Sequence, residues 1–524
     1  MRSRWMILLA VTALAQEPQA PPAAPTFRAG TKLVQVDVVV RDKKGPVAGL
    51  TKGDFTVLDD GKPQEIAVFS VKSFSAKPAQ RAERTAMPLP PGAVSNRLEL
   101  GGTPATETII LVDQKNTQRT DQAYAIQRIA KFIEKRHKGD QIGIYSFGKD
   151  GMQAVQELTD DEALLSRAVN RVAPQDPNYR SPDTTGMTGR AAVEYELAMI
   201  EERVADTKHV LEASARHLAK VPGRKNLIWI TAGFPLIIVL QDRVVDFTPD
   251  MLEAARALND ANVALYAVDA RGLIAGSLPG TDAGPMMKGP GIGQPPIPLT
   301  PGGMGPGGLT AAGLDTMNIL AGRTGGKAYY ADNGIEDSIQ TAVEDAELTY
   351  TLGFYPPQGS KDRDVHNLKV KVARPGVSVR YRENYSSDEK LASVNVRPTM
   401  EQLLKDPLDA AQVGLFAETT ADPAHPGSYK VRVSVDLHDV KLERQDAKWT
   451  GAVDVSFFVE GSKAAQTIPE RISIPAEQLA ASLEKPLVVE NSIALGGRDG
   501  ILRIAAQDEA TGAAGSIRIH LEKK

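Results

Sequence analysis

Near the N-terminus, apolar and polar residues alternate with a spacing of two. Leu33, Val34, Val36, Val38 and Val40 predict a strand, and Lys43-Lys-Gly45-Pro46 a turn after it. Phe55–Leu58 reads as a second strand, Asp59-Asp-Gly61 as its hairpin turn and Gln64–Ser70 as a third strand. So few strands cannot bury their own apolar face. The expected partners are Asn367–Ala373 and Val377–Arg382, two strands on either side of the Pro375-Gly376 turn.

From Glu107 the pattern changes to strand–helix alternation. Thr108–Val112 predicts a buried strand. Ile126, Ile129, Ala130 and Ile133 repeat at helical spacing, and Gln141–Phe147 and Met152–Leu158 are strands again. Thr159-Asp-Asp-Glu162 is a capping box for a helix carrying Leu164, Leu165, Ala168, Val169 and Val172. A long helix is expected over Arg190–Lys220, then a strand over Asn226–Thr231. Thr248-Pro249 opens a helix, and Val263–Asp269 is a strand. Leu314–Arg323, Lys327–Tyr330 and the Ile335, Ile339, Val343 stripe complete the series, with Thr324-Gly-Gly326 as a helix stop. Such alternation implies a doubly wound, mostly parallel sheet with helices on both faces. The Gly/Pro/Met-rich stretch 275–313 has neither period and is either a functional loop or disordered. After Leu348–Tyr355 only strand patterns remain, among them Tyr429–Leu437, Ala452–Val459 and Gly500–Ala506, which suit an antiparallel β-sandwich.

Length and composition narrow the class. A chain of 524 residues is too long for one core. The expected boundaries are 1–15 for an export segment, 16–28 for a disordered leader, 29–75 for the N-terminal β-segment and 76–104 for a linker. The α/β domain follows over 105–356, then a β-segment over 357–386 and a C-terminal sandwich over 387–524. Arg2 and Arg4 precede an apolar run from Trp5 to Leu14, and Ala13-Leu-Ala15 fits a cleavage site, which predicts a signal peptide and a secreted, periplasmic or envelope location. A formal net charge of -4 gives no electrostatic case for nucleic acid. With 0 cysteines, disulfides and thiolate metal sites are excluded. No transmembrane span is expected.

The segment Thr108-Ile-Ile-Leu-Val-Asp-Gln-Lys-Asn-Thr117 ends a strand on an aspartate, and Lys225-Asn-Leu-Ile-Trp-Ile-Thr231-Ala-Gly233 ends another on a hydroxyl and a glycine. Ligands of open α/β sheets bind at that carboxyl edge, and oxygen donors suit a hard divalent cation. This order of elements resembles the von Willebrand factor type A domain over roughly Thr106 to Pro356. Further segments resemble acidobacterial secreted proteins related to that domain: Val36-Asp-Val-Val-Val40, Leu50-Thr-Lys-Gly-Asp-Phe55, Val268-Asp-Ala-Arg-Gly-Leu273 and Tyr350-Thr-Leu-Gly-Phe-Tyr-Pro356.

The resemblance implies a Mg²⁺-dependent adhesion site, in which a protein partner's carboxylate completes the octahedron. Carried over by position, Asp113 is its first aspartate, Thr117 its second serine, and Thr231 precedes its central-strand position. Two departures weaken it: Lys115 stands where a serine is expected and Ala232 where an aspartate is. Lys115 would either point away, leaving Asn116 to offer an oxygen, or replace the metal by pairing with Asp113. A second-loop hydroxyl would come from Thr185 or Thr188. Mg²⁺ and a hydrogen-bonded, metal-free edge both remain open.

Weaker candidates are Asp269, which Arg271 would neutralise, and Asp59-Asp-Gly61, an ordinary hairpin turn. His209 and His217 are too far apart on one helix to share a metal and read as surface residues. No Gly-x-Ser-x-Gly, phosphate loop or His-Glu-x-x-His occurs. The expectation is a non-enzymatic binding or scaffold protein with a protein partner. A structural envelope protein, or a hydrolase built on scattered residues, is the alternative.

Overall fold

The computed structural model describes residues 33–73, 93–97, 107–137, 139–176, 190–221, 223–240, 242–272, 297–298, 306–330, 334–356, 365–385, 397–495 and 499–522. The expected export segment and leader, and Thr185 and Thr188, lie outside these residues. The chain is mixed α/β.

The N-terminal strands are β1 (Val34–Asp42), β2 (Gly45–Pro46), β3 (Phe55–Asp59), β4 (Lys62–Gln64) and β5 (Val68–Ser73). β1 buries Val34, Val36, Val38 and Val40, as its alternation requires. The β3–β4 turn places Asp60 at φ 47 and Gly61 at φ 79, a left-handed pair suited to a tight hairpin. A short strand, β6 (Ala93–Ser95), follows.

The α/β unit runs through β7 (Glu107–Asp113), α1 (Arg119–Lys135), β8 (Gln141–Gly148), β9 (Gly151–Thr159), α2 (Glu162–Arg171), α3 (Arg190–Leu218) and β10 (Lys225–Thr231). It continues through β11 (Ile237–Val239), β12 (Val244–Asp246), α4 (Thr248–Asp260), β13 (Val263–Asp269), β14 (Ile297–Pro298), α5 (Pro306–Thr324), β15 (Ala328–Tyr329) and α6 (Ile335–Glu347). Its main sheet has the order β15-β13-β10-β7-β8-β9. Every neighbouring pair is parallel except β8 with β9.

Successive residues of β7 and β10 feed opposite cores. Ile109, Leu111, Leu227 and Trp229 pack with α3, α4 and α5, whereas Ile110, Val112, Ile228 and Ile230 pack with α1, α2 and α6. Within the 275–313 stretch, the described residues form β14 and the start of α5. β14 pairs with β11, and α5 begins at Pro306, where a proline needs no N–H donor.

β16 (Leu348–Phe354) leaves this unit. It pairs with β1, Val36 opposite Leu352, and with β5, Leu352 opposite Phe69. β17 (His366–Val372) pairs with β3, Val57 opposite Val370, β18 (Ser378–Arg380) with β1, and β19 (Asn384–Tyr385) with β17. Sheets of order β18-β1-β16-β5 and β19-β17-β3-β4 thus share one core around Val38, Phe55, Tyr350, Phe354 and Leu368. The boundary expected at 356 is therefore corrected: the α/β unit ends with α6. β16 is buried along its whole length, a pattern that fits a central strand of either sheet, so its sequence does not say which one it joins. Asp345 of α6 ties the two units together. Fully buried, it accepts from Arg41 of β1 (3.0 Å) and Tyr266 of β13 (3.0 Å) and pairs with Arg380 of β18.

The C-terminal unit comprises α7 (Met400–Lys405), β20 (Leu415–Ala421), β21 (Ser428–Val435), β22 (Glu443–Gln445), β23 (Lys448–Val459), β24 (Gln466–Pro475), α8 (Leu479–Leu483), β25 (Leu487–Ala494), β26 (Gly500–Asp508) and β27 (Ala514–Leu521). Sheets of order β25-β21-β20-β6 and β22-β23-β26-β27 enclose a core containing Val431, Val433, Val455, Phe457, Leu502 and Ile504. β6 belongs here, Val94 lying opposite Ala417. This corrects the reading of 76–104 as linker throughout. Buried Asn96 holds the segment: its amide donates to Ala410 (2.7 Å) and Val413 (2.8 Å), and its oxygen accepts from Leu415 N (2.7 Å).

Candidate binding edge of the α/β sheet

β7 and β10 are parallel neighbours, so their last residues reach the same edge, and Asp113 and Thr231 meet there. Asp113 has no exposed surface. Its Oδ1 accepts from the backbone N–H groups of Lys115 (3.1 Å) and Asn116 (2.9 Å). Its Oδ2 accepts from the Asn116 amide (2.9 Å), Trp229 Nε1 (3.0 Å) and the Thr231 hydroxyl (2.8 Å). A carboxylate offers about four lone-pair positions, so these donors leave none directed at a further ligand. Burial pushes the Asp113 carboxyl above its usual range, against the opposing pull of Asn116, Thr231 and Trp229.

The remaining residues extend this hydrogen-bonded edge. The Thr117 hydroxyl accepts from Ala232 N (3.1 Å), bridging the two loops. Thr231 Oγ1 also accepts from Gly233 N (2.9 Å). Gly233 sits at φ +69, and a Cβ there would lie 2.4 Å from the Gly313 carbonyl, so α5 closes on this turn only because both residues lack side chains. The Lys115 ammonium turns away to Glu202 (3.4 Å) and Asp206 of α3, which settles the alternative that it pairs with Asp113. Asn116 donates to Thr207 Oγ1 (3.0 Å), while its own Oδ1 is buried without a hydrogen bond among the described residues.

Sequence reasoning missed three contributors. Trp229 reads only as a core residue, yet its indole N–H faces Asp113. Thr207 lies on α3, far along the chain. Gln122, fully buried, donates to the carbonyls of Gln114 (3.0 Å), Thr117 (2.7 Å) and Gln175 (3.0 Å), fastening one loop to the other. A signal for it existed: Gln122 begins the inward stripe continued by Ala125, Ile129 and Phe132, where a polar residue needs partners.

The Mg²⁺ site that the resemblance implies does not fit this arrangement. Asp113 is saturated by N–H and O–H donors, position 232 supplies no carboxylate, and among the described residues of this edge the orphan oxygen is the neutral amide of Asn116. Mg²⁺ requires an octahedral oxygen shell with carboxylate charge. Farther along the edge, Asp269 is clasped through both oxygens by Arg271 (2.8 and 2.8 Å).

Of the two α3 histidines, His217 is not the surface residue expected. His217 is buried, with Nε2 3.0 Å from Tyr145 Oη and 3.3 Å from Glu157, and Nδ1 2.8 Å from the Asp409 carbonyl. Burial works to lower its pKa, but Glu157 and Asp409 outweigh burial and raise it. His209 pairs with Asp406. The lead-in to the C-terminal unit packs on α3 and covers His217, whereas the His209 side chain stays 35% exposed.

No protein-family model matches the chain, and no curated protein is similar to it. Among solved structures, the SpRpn10 VWA domain is similar at 13% identity, covering 31% of this chain and 74% of that one with a TM-score of 0.18. The ArnB paralog VWA2 from Sulfolobus acidocaldarius is similar at 10% identity over 93% of this chain and 75% of that one, with a TM-score of 0.21. Proximal thread matrix protein 1 from the mussel byssus is similar at 11% identity, covering 47% of this chain and 48% of that one, with a TM-score of 0.24. Structural neighbours thus include VWA domains, at TM-scores too low to bear on function.

Proposed function

We propose that this chain is an exported, non-catalytic binding or scaffold protein. Its doubly wound, von Willebrand A-like unit presents the carboxyl edge of the sheet to a protein partner, and sandwich units flank it. The edge is preorganised by hydrogen bonds and not by Mg²⁺. The saturation of Asp113 by five donors carries this reading. An acceptor enclosed by donors on Trp229, Thr231 and the 115–116 backbone fixes both loops without an ion, and a fixed loop surface binds with less ordering cost. Among the described residues no helix is long and apolar enough to cross a membrane.

The test is Mg²⁺-dependent thermal stability, because an ion that binds only the folded state raises the melting temperature. Wild type is expected to show no shift. Ala232→Asp combined with Lys115→Ser, which restores the missing carboxylate and hydroxyl, is expected to show one. A large wild-type shift abolished by Asp113→Ala would overturn the metal-free reading.

A further inference from the structure

The alternation of the N-terminal β unit breaks its own rule at one end. In β3 the inward positions are Phe55, Val57 and Asp59, and in β17 they are His366, Leu368 and Val370. An aspartate and a histidine thus occupy core-facing positions, 4% and 3% exposed. The hairpin turn accounts for Asp60 and Gly61 but not for a buried Asp59, and burying a carboxylate is costly unless something compensates its charge. Strand pairing sets Asp59 opposite Leu368 and brings Asp60 beside Asn367, so the three side chains converge. His366 Nδ1 lies 3.2 Å from Asp59 Oδ1 and 3.1 Å from Asp60 Oδ2. Among the described residues, the Asp59 oxygen facing it accepts no hydrogen bond.

We infer that Asp59, Asp60 and His366 form a binding site for a divalent transition-metal ion, with Zn²⁺ or Mn²⁺ as the fitting class. Donor atoms sharing an edge around an ion at bond lengths of about 2.1 Å stand about 3.0–3.4 Å apart, which the two measured separations match. One imidazole with two carboxylates is a donor set suited to these ions, whereas Mg²⁺ and Ca²⁺ favour oxygen alone. The surroundings hold the donors in place as outer partners of a metal site do. Tyr385 donates its phenol to Asp59 Oδ2 (2.9 Å), leaving Oδ1 for the ion, and its ring stacks on His366 with centroids 4.8 Å apart. The Asp60 backbone N–H is tied to the Asn367 carbonyl (2.9 Å), and the Asn367 N–H to Asp60 Oδ1 (3.1 Å). Asp60, 22% exposed at its side chain, provides the opening through which an ion enters and water completes its shell. The ion's role is structural: it clips the β3–β4 turn to the start of β17, closing the N-terminal unit on both sides of the inserted α/β unit. A crosslink across so long a loop removes much chain entropy from the unfolded state.

The purified full chain, stripped with chelator, is titrated calorimetrically with Zn²⁺, Mn²⁺ and Mg²⁺ in turn, with circular dichroism confirming the fold of each variant. Expected is one Zn²⁺ or Mn²⁺ per chain, bound more tightly than Mg²⁺ and raising the melting temperature. Asp60→Asn, at the partly exposed ligand, and His366→Gln should each weaken binding more than about tenfold, and Tyr385→Phe about tenfold. Zn²⁺ and Mn²⁺ binding no tighter than Mg²⁺ would overturn the assignment. Wild-type affinity in folded Asp60→Asn and His366→Gln would overturn it equally.

Discussion

Replacing Asp113 with asparagine changes almost no volume and leaves the backbone alone, so its cost comes from hydrogen bonding. If the amide oxygen takes the Oδ2 position, it keeps Asn116, Trp229 and Thr231, but the new NH₂ faces the N–H groups of Lys115 and Asn116. The reverse orientation sets three donors against the NH₂. At least two buried donors lose their acceptor, each costing about 1–3 kcal/mol. Removing a buried negative charge returns part of that, leaving an expected loss of about 2–4 kcal/mol. Urea unfolding followed by fluorescence is well placed to read it, since Trp229 itself donates to Asp113. The loss should be the same in chelator and in Mg²⁺. Equal stability of variant and wild type in chelator, with a difference only when Mg²⁺ is added, would refute the reasoning and restore a working metal site.

Two further substitutions probe buried charge. Glu107, 4% exposed with neither carboxylate oxygen hydrogen-bonded among the described residues, has its pKa pushed up by burial from 4.5 to about 7, against the pull of Lys225. The folded state therefore holds that proton more tightly than the unfolded chain, and stability falls as pH rises between those values, by about 3 kcal/mol in total. Glu107→Gln should remove this fall and stabilise the protein at pH about 8 but not near pH 4.5, as denaturation across that range would show. A gain independent of pH would contradict it. Asp345→Asn strips the shared partner from Arg41 and Arg380, and breaking a buried pair costs about 3–5 kcal/mol. A change in the urea midpoint worth less than about 1 kcal/mol would mean that α6 and the N-terminal sheets are not coupled through this residue.

What the sequence revealed was mostly local. The alternating valines of β1, the proline opening α4 and the aspartate ending β7 each carry their own physical signature within a few residues. What it concealed depends on partners distant along the chain. β16 has the pattern of a central strand, but nothing within it selects β1 and β5 as neighbours. β6 is three residues in a Pro/Gly-rich stretch, and Asn96, which anchors it, pairs with residues more than three hundred positions away. His217 looked like a surface histidine because the segment that buries it, around Asp409, follows the whole α/β unit. At the binding edge, Asp113, Asn116 and Thr231 were legible as a group, and Lys115 and Ala232 as departures. The donors from Trp229 and the loop clamp of Gln122 were not, because each also has an ordinary place in a core.

The most direct test of the proposed function is capture of a protein partner by the α/β edge from an extract of the source cells. Wild type would be compared with Arg119→Glu combined with Lys149→Glu, two exposed residues beside the ends of β7 and β8, in chelator and in Mg²⁺. The account predicts a partner set retained in both buffers and lost in the edge variant, while a charge reversal on the C-terminal unit, Arg471→Glu, leaves it intact. Capture that needs Mg²⁺, or that survives reversal of the edge charges, would contradict it.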